Sequence, residues 1–214
     1  MSTSRLKLYN DALTICKESH LASLTEDRKP RRLLDHVWDN DGVKNCLEAA
    51  DWKFALRSVR LDYDPAYSPE FGYQYQFEKA SDWCKTSAVC SDERFEVPLL
   101  KYDDEAGFLY CDLQELYCKY VSNDSTYGGD MSLWTSRFAD FVAAHFASKI
   151  IHALTSDDDA QKKVFAIRQK YLLEASSLDA MAGPTKFPPE GSWVSSRRSR
   201  GRSWRSRGTD NIPT

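Results

Sequence analysis

The chain lacks most of the patterns that announce a catalyst. Its 214 residues contain no phosphate-binding glycine loop, no GxGxxG, no HExxH and no GxSxG. The commonest nucleotide-binding, zinc-protease and serine-hydrolase readings are therefore excluded. No stretch approaches the ~18 consecutive apolar residues of a membrane-spanning helix. The opening MSTSRLKLYNDALTIC has no apolar core followed by small residues, so neither membrane insertion nor export is expected. The six cysteines (Cys16, Cys46, Cys84, Cys90, Cys111 and Cys118) form no CxxC pair. In a chain of this size without an export signal they are expected to stay reduced.

With 42% apolar and 29% charged residues, the composition is that of a globular protein with room for a good core. The net charge of −3 hides an asymmetry. Residues 191–214 hold six Arg and one Asp, which leaves 23 basic against 31 acidic residues in 1–190. An acidic body thus ends in a basic tail.

The stretch 132–154, SLWTSRFADFVAAHFASKIIHAL, is the long apolar helix around which the rest is arranged. Trp134, Phe138, Val142, Phe146, Ile150 and Leu154 follow one another at i, i+4. Such a row drifts about 40° per step around a helix, so the two halves should meet different partners. Upstream, Leu6, Tyr9, Leu13 and Cys16 predict a helix over 4–17. A second helix is predicted from an Asp27 N-cap, with Leu33, Leu34, Val37 and Trp38 on its apolar face, running on through Asn40-Asp41-Gly42 to Ala50.

Between 52 and 121 the period changes to two. Tyr73, Tyr75 and Phe77 alternate with polar residues, and 53–63 alternates with a change of register that suggests a bulge near Arg57-Ser58. Residues 99–102, 108–111 and 116–121 read as a meander that turns at 103–107. After Leu154, Ser156 is expected to cap a last helix whose seam is Ala160, Val164, Ile167, Tyr171, Ala175, Leu178 and Ala182. Gly183-Pro184 stops it.

The expected fold class is therefore α+β. An α-helical bundle combines N-terminal helices (1–51) with a C-terminal αα-hairpin (130–182). An antiparallel β unit (52–129) is inserted between them, and an extended basic arm (183–214) follows.

Candidate chemistry is thin. Glu18 and Asp27 would suit an acid/nucleophile pair for cleaving a sugar polymer such as peptidoglycan, but a helix end and a helix cap explain them better. His145 and His152 share a helix face about 10.5 Å apart, too far to hold one metal, and read as surface or interface histidines. A zinc site drawn from Cys84, Cys90, Cys111 and Cys118 would need the sheet to gather all four. Tyr73, Tyr75 and Phe77 could stack on bases, yet the acidic surroundings favour core packing or a protein interface. No catalytic residue, metal or cofactor is expected.

The arm carries the clearest signal. Six arginines in 197–207 suit an acidic protein surface or nucleic-acid phosphates. Phe187, Trp193 and Trp204 favour a protein groove over a free solvated tail, and DNA binding by the arm is the second reading.

The order of pieces resembles a known family. LYNDALTICKESHLASLTEDRKPRRLLDHVWDNDGVKNCLEAADWKFALRSVRLDYDP opens it, and FGYQYQFEKASDW, YVSND, YGGDMSLW and KFPPEGSW continue it. Across about residues 6–194 the chain resembles the head-to-tail adaptors of short-tailed bacteriophages, also called tail tubular protein A. The basic extension after Val194 is the part least covered. The resemblance implies a structural virion protein, assembled in the host cytoplasm, that forms a dodecameric ring below the portal protein. Such a ring continues the channel for viral DNA, retaining the genome and later releasing it. Its β-rich part would face the next tail component, a nozzle or tail tubular protein B-like protein. A C-terminal arm would reach the portal, and here that arm is Phe187, Pro188, Pro189 and Trp193, extended by Arg197, Arg198, Arg200, Arg202, Trp204, Arg205 and Arg207.

Overall fold

Helix α4 (Ser136–Leu154) begins where Thr135, in extended backbone, accepts the Phe138 N–H on its side chain. In the computed structural model, which describes residues 3–65, 69 and 72–183, it is the axis of the helical core. Every residue from Phe141 to Ser148 is buried. A helix apolar all round must be covered all round, and here the cover comes from every other helix. Its first half meets Trp52 and Phe54, with the Phe138 ring 4.8 and 4.9 Å from theirs. Further along, Phe146 meets Tyr9 and Trp38 at 6.4 and 6.0 Å. The drifting apolar row thus has separate partners for its two halves, as the spacing implies.

Helix α1 (Arg5–Ile15) is capped by Ser4 and closes with Lys17 in left-handed backbone, φ 60°. The Glu18 N–H returns to Leu13 O and the Lys17 N–H to Thr14 O, the paired bonds of a Schellman ending. Helix α2 (Lys29–Asp39) starts one residue later than its sequence suggests. Arg28 is the cap residue, Pro30 sits in the first turn, and Asp27 instead lies within 3.6 Å of Arg32. Asp35 ties the two helices together, accepting from Arg5 (2.7 Å), Arg31 (2.7 Å) and Tyr9 (2.9 Å).

The predicted continuation of α2 is overturned. Asn40 leaves helical backbone and Asp41 is left-handed, φ 57°, before a short helix α3 (Gly42–Leu47). Gly42 makes the corner possible. A Cβ there would lie 2.4 Å from Val37 O and 3.0 Å from the Phe146 ring, so only glycine lets the chain turn this close to α4.

Two three-stranded antiparallel sheets form the inserted unit. One has the order β1 (Leu56–Asp62), β6 (Glu115–Ser122), β3 (Trp83–Cys90); the other β2 (Tyr75–Glu78), β5 (Phe108–Cys111), β4 (Asp103–Glu105). A small core of Phe77, Val89, Leu109, Cys111, Leu116 and Cys118 joins them. The expected bulge in β1 is absent, since β1 pairs with β6 without a break from Leu56↔Val121 to Asp62↔Glu115. The change of register in 53–63 is instead a change of partner along an unbroken strand that follows a 3-10 turn at Lys53–Ala55: Leu56 packs against the helical core, and Val59 and Leu61, on the other face of β1, against the β core. The irregularities lie in β3, between Trp83 and Lys85 and between Thr86 and Ala88. The meander is also corrected. Its first strand is Asp103–Glu105, turning at Ala106-Gly107, and β6 leaves β5 to pair in the other sheet.

Helix α5 (Asp158–Met181) folds back on α4 after a three-residue link. Its N-cap is Asp157, not Ser156: the carboxylate accepts the Asp159 N–H and the carbonyl the Gln161 N–H. The molecule is thus the α+β fold expected, helical bundle, αα-hairpin and inserted β unit included. The described residues up to Met181 form one compact unit, and of those beyond it Ala182 and Gly183 are described. The expected arm beyond them lies outside the described residues.

Candidate functional site

Every residue of the expected portal-binding arm, Phe187 to Arg207, falls outside the described residues. The described chain ends at Gly183, just past the last turns of α5.

Along α5, Val164 and Ala175 are buried and Ala160, Ile167 and Tyr171 half-buried, so the seam holds over most of the helix. At its end the seam fails: Leu178 is 50% exposed and Met181 77%. The reason is length. Helix α5 has 24 residues and α4 has 19. Arg137, at the start of α4, lies 3.8 Å from Glu174, which puts the two helices level there. The last turn and more of α5 therefore runs past α4 with no helix to cover it. Phe165 and Leu173 add further exposed apolar surface on the same helix.

This overhang is fixed in place on one side. Lys53 donates its backbone N–H to Asp179 (3.1 Å) and its ammonium to Ala180 O (3.0 Å), placing a cation at the negative end of the helix dipole. Beside the clamp is a cavity of about 410 Å³, walled by Trp52, Leu56 and Ala180 and edged by Lys85, Asp51 and Asp179. Lys85 and Asp51 form an ion pair at 2.8 Å, so the edge is neutralised within itself. The region offers apolar contact and shape, and its Asp51, Asp179, Lys53 and Lys85 side chains line the cavity beside Ser176.

The other candidates resolve as follows. Glu18 closes α1 through its backbone, and Asp27 is an exposed partner of Arg32 rather than a cap. Cys84 packs against the helical core, apart from Cys111 and Cys118 in the β core, where Cys90 is also a neighbour of Cys118. Burial pushes Cys118 up to about 12 and Cys84 up to about 11, the protonated and non-ligating form. Among the described residues no group of His, Cys, Asp and Glu is arranged to hold a metal ion. Phe77 is buried in the β core, and Tyr75 packs on Tyr63 with ring centres 4.8 Å apart, so core packing accounts for the aromatic alternation.

His145 departs from its surface reading. It is 3% exposed, and neither ring nitrogen has a hydrogen-bond partner among the described residues. Burial, with Arg168 and Lys149 nearby, holds its pKa down at about 4. His152 is exposed beside Phe165. The apolar run from 141 to 148 was the sequence signal that His145 lies inside. No helix among the described residues is long and apolar enough to cross a membrane.

No protein-family model matches this chain, and no curated protein matches it.

Proposed function

We propose that this chain is a structural head-to-tail adaptor of a short-tailed phage. In this reading, copies assemble as a ring, a dodecamer by the resemblance, below the portal protein and above a nozzle-like tail component. Viral DNA passes through the ring, and the chain performs no catalysis. The observation that supports it best is the apolar overhang of α5, which ends one subunit in surface that a neighbouring copy would cover. The chain leaves the body at that same end, where an arm can reach onto the portal through Phe187, Pro188, Pro189 and Trp193. The arginines of 197–207 extend that grip by charge. The acidic balance of residues 1–190 suits a channel wall along which DNA slides without sticking.

Truncation after Gly183 tests the reading. Electron microscopy of the full chain with the portal protein from the same genome is expected to show an added ring layer, and the truncated chain is expected to add none. Retained portal binding by the truncated chain would remove the arm from the mechanism. A full chain indifferent to portal, but with DNA affinity that falls steeply with salt and vanishes on truncation, would favour nucleic-acid binding.

A further inference from the structure

Where the corner between α2 and α3 meets the 123–134 connection, the surface opens into a cavity of about 230 Å³. Trp38, Trp134 and Val43 give it apolar walls, and Asp39, Asp41 and Lys44 its charge. The walls are fixed. The Trp134 indole N–H donates to Gly128 O at 2.8 Å, and Trp38 is held edge-on to Tyr9 and Phe146. The two carboxylates are exposed, and neither takes part in a hydrogen bond or ion pair with another described residue. Asp41, in left-handed backbone next to the closely packed Gly42, lines the cavity and is exposed.

This combination narrows the occupant. Asp39 and Asp41 stand against Lys44, and the Arg5 guanidinium on Trp38, which also feels Asp39, is itself paired to Asp35, so the lining does not favour a carboxylate or phosphate. The volume lies below the ~300–1,000 Å³ typical of sites for small molecules and cofactors, and suits a single side chain. Indole walls beside exposed carboxylates favour a flat cation that stacks with its face and forks to oxygen with its edge, which is guanidinium rather than ammonium. Trp38 already carries one such group: the Arg5 guanidinium carbon lies 4.8 Å from its ring centre. We infer that this cavity is a receptor for an arginine side chain presented by a partner protein, with Asp39 and Asp41 as its hydrogen-bond acceptors and Trp38 and Trp134 as its walls. The inference does not depend on the adaptor reading, because the cavity belongs wholly to the 1–181 unit.

The test uses the full chain and the indole N–H signals of a ¹H–¹⁵N spectrum. The probe is acetyl-Gly-Arg-Gly-amide, compared with its lysine and citrulline counterparts. The arginine peptide is expected to shift the Trp38 and Trp134 signals saturably, and citrulline, which keeps the shape but loses the charge, to bind at least about tenfold more weakly. Asp39→Asn with Asp41→Asn, both on exposed side chains, is expected to weaken arginine binding about tenfold and leave the other indole signals in place. Lys44→Glu is expected to tighten it. Equal response to arginine and citrulline overturns the assignment. So does the absence of a saturable shift, or binding undiminished in the double variant and unmoved in Lys44→Glu.

Discussion

Ala106 occupies a backbone conformation that suits it poorly. With Gly107 it forms the two-residue turn between β4 and β5, where Glu105 pairs with Phe108, and both turn residues have positive φ, 49° and 86°. That is the pattern of a type I′ turn, for which Asn-Gly is the favoured pair. Ala106→Asn is expected to stabilise the protein by about 0.5–1 kcal/mol, seen as a raised urea midpoint with unchanged slope. His145 contributes through pH. Its folded pKa of about 4 lies below the ordinary 6.5, so the unfolded chain binds the extra proton between those values. Stability is therefore full above about pH 6.5 and falls as pH drops toward 4, by about 3 kcal/mol over the window. His145→Leu should flatten that slope, which urea midpoints at pH 7 and pH 5 would show. A slope unchanged by the substitution would place its origin elsewhere.

Among the elements, those with a periodic side were legible and those shaped by local exceptions were not. The α4–α5 hairpin follows from its spacing. Helices α2 and α3 read as one because Val43, Cys46 and Leu47 continue an apolar face, and only the close packing of Gly42 reveals the break. Strand β3 was hidden because its two register shifts reset the alternation along WCKTSAVC. Strand β4 is three exposed acidic residues, held as a strand by the turn that folds it onto β5. Asp82, just before β3, ties the start of that strand to the other two strands of its sheet. Its carboxylate accepts from Ser122 (2.5 Å) on β6, Arg57 (3.0 Å) on β1 and Tyr120 (3.2 Å) on β6. Burial works against that charge, but these donors outweigh it and lower the pKa. Asp82→Ala would leave the Ser122 and Tyr120 hydroxyls buried without their acceptor, at an expected cost of about 2–4 kcal/mol. Asp62→Ala removes an exposed partner of Arg60, and less than about 1 kcal/mol is expected from the same denaturation measurement. Equal losses would mean that Asp82 is not the anchor of the sheet.

For the whole molecule, the helical and β parts of the body were legible in the apolar periodicity, while the expected arginine-rich arm lies outside the described residues. The sequence could not show how much apolar surface the body leaves over. For Leu178 and Met181 that depends on α5 outlasting α4 beyond the level of Arg137 and Glu174, whereas Leu173 is exposed where the two helices are still paired. Leu173 and Leu178 are 60% and 50% exposed, so a monomer gains little from them and a neighbouring copy could gain much. Leu173→Glu with Leu178→Glu should therefore change the stability of the isolated chain by no more than about 0.5 kcal/mol per site. If copies meet through α5, the same pair should prevent a complete ring from forming on the portal, because each buried carboxylate would be desolvated at every interface around the ring. The two measurements separate the causes. A lowered urea midpoint in the isolated chain would make both leucines part of the fold, whereas an unchanged midpoint with intact rings in electron micrographs would move the subunit contact away from α5.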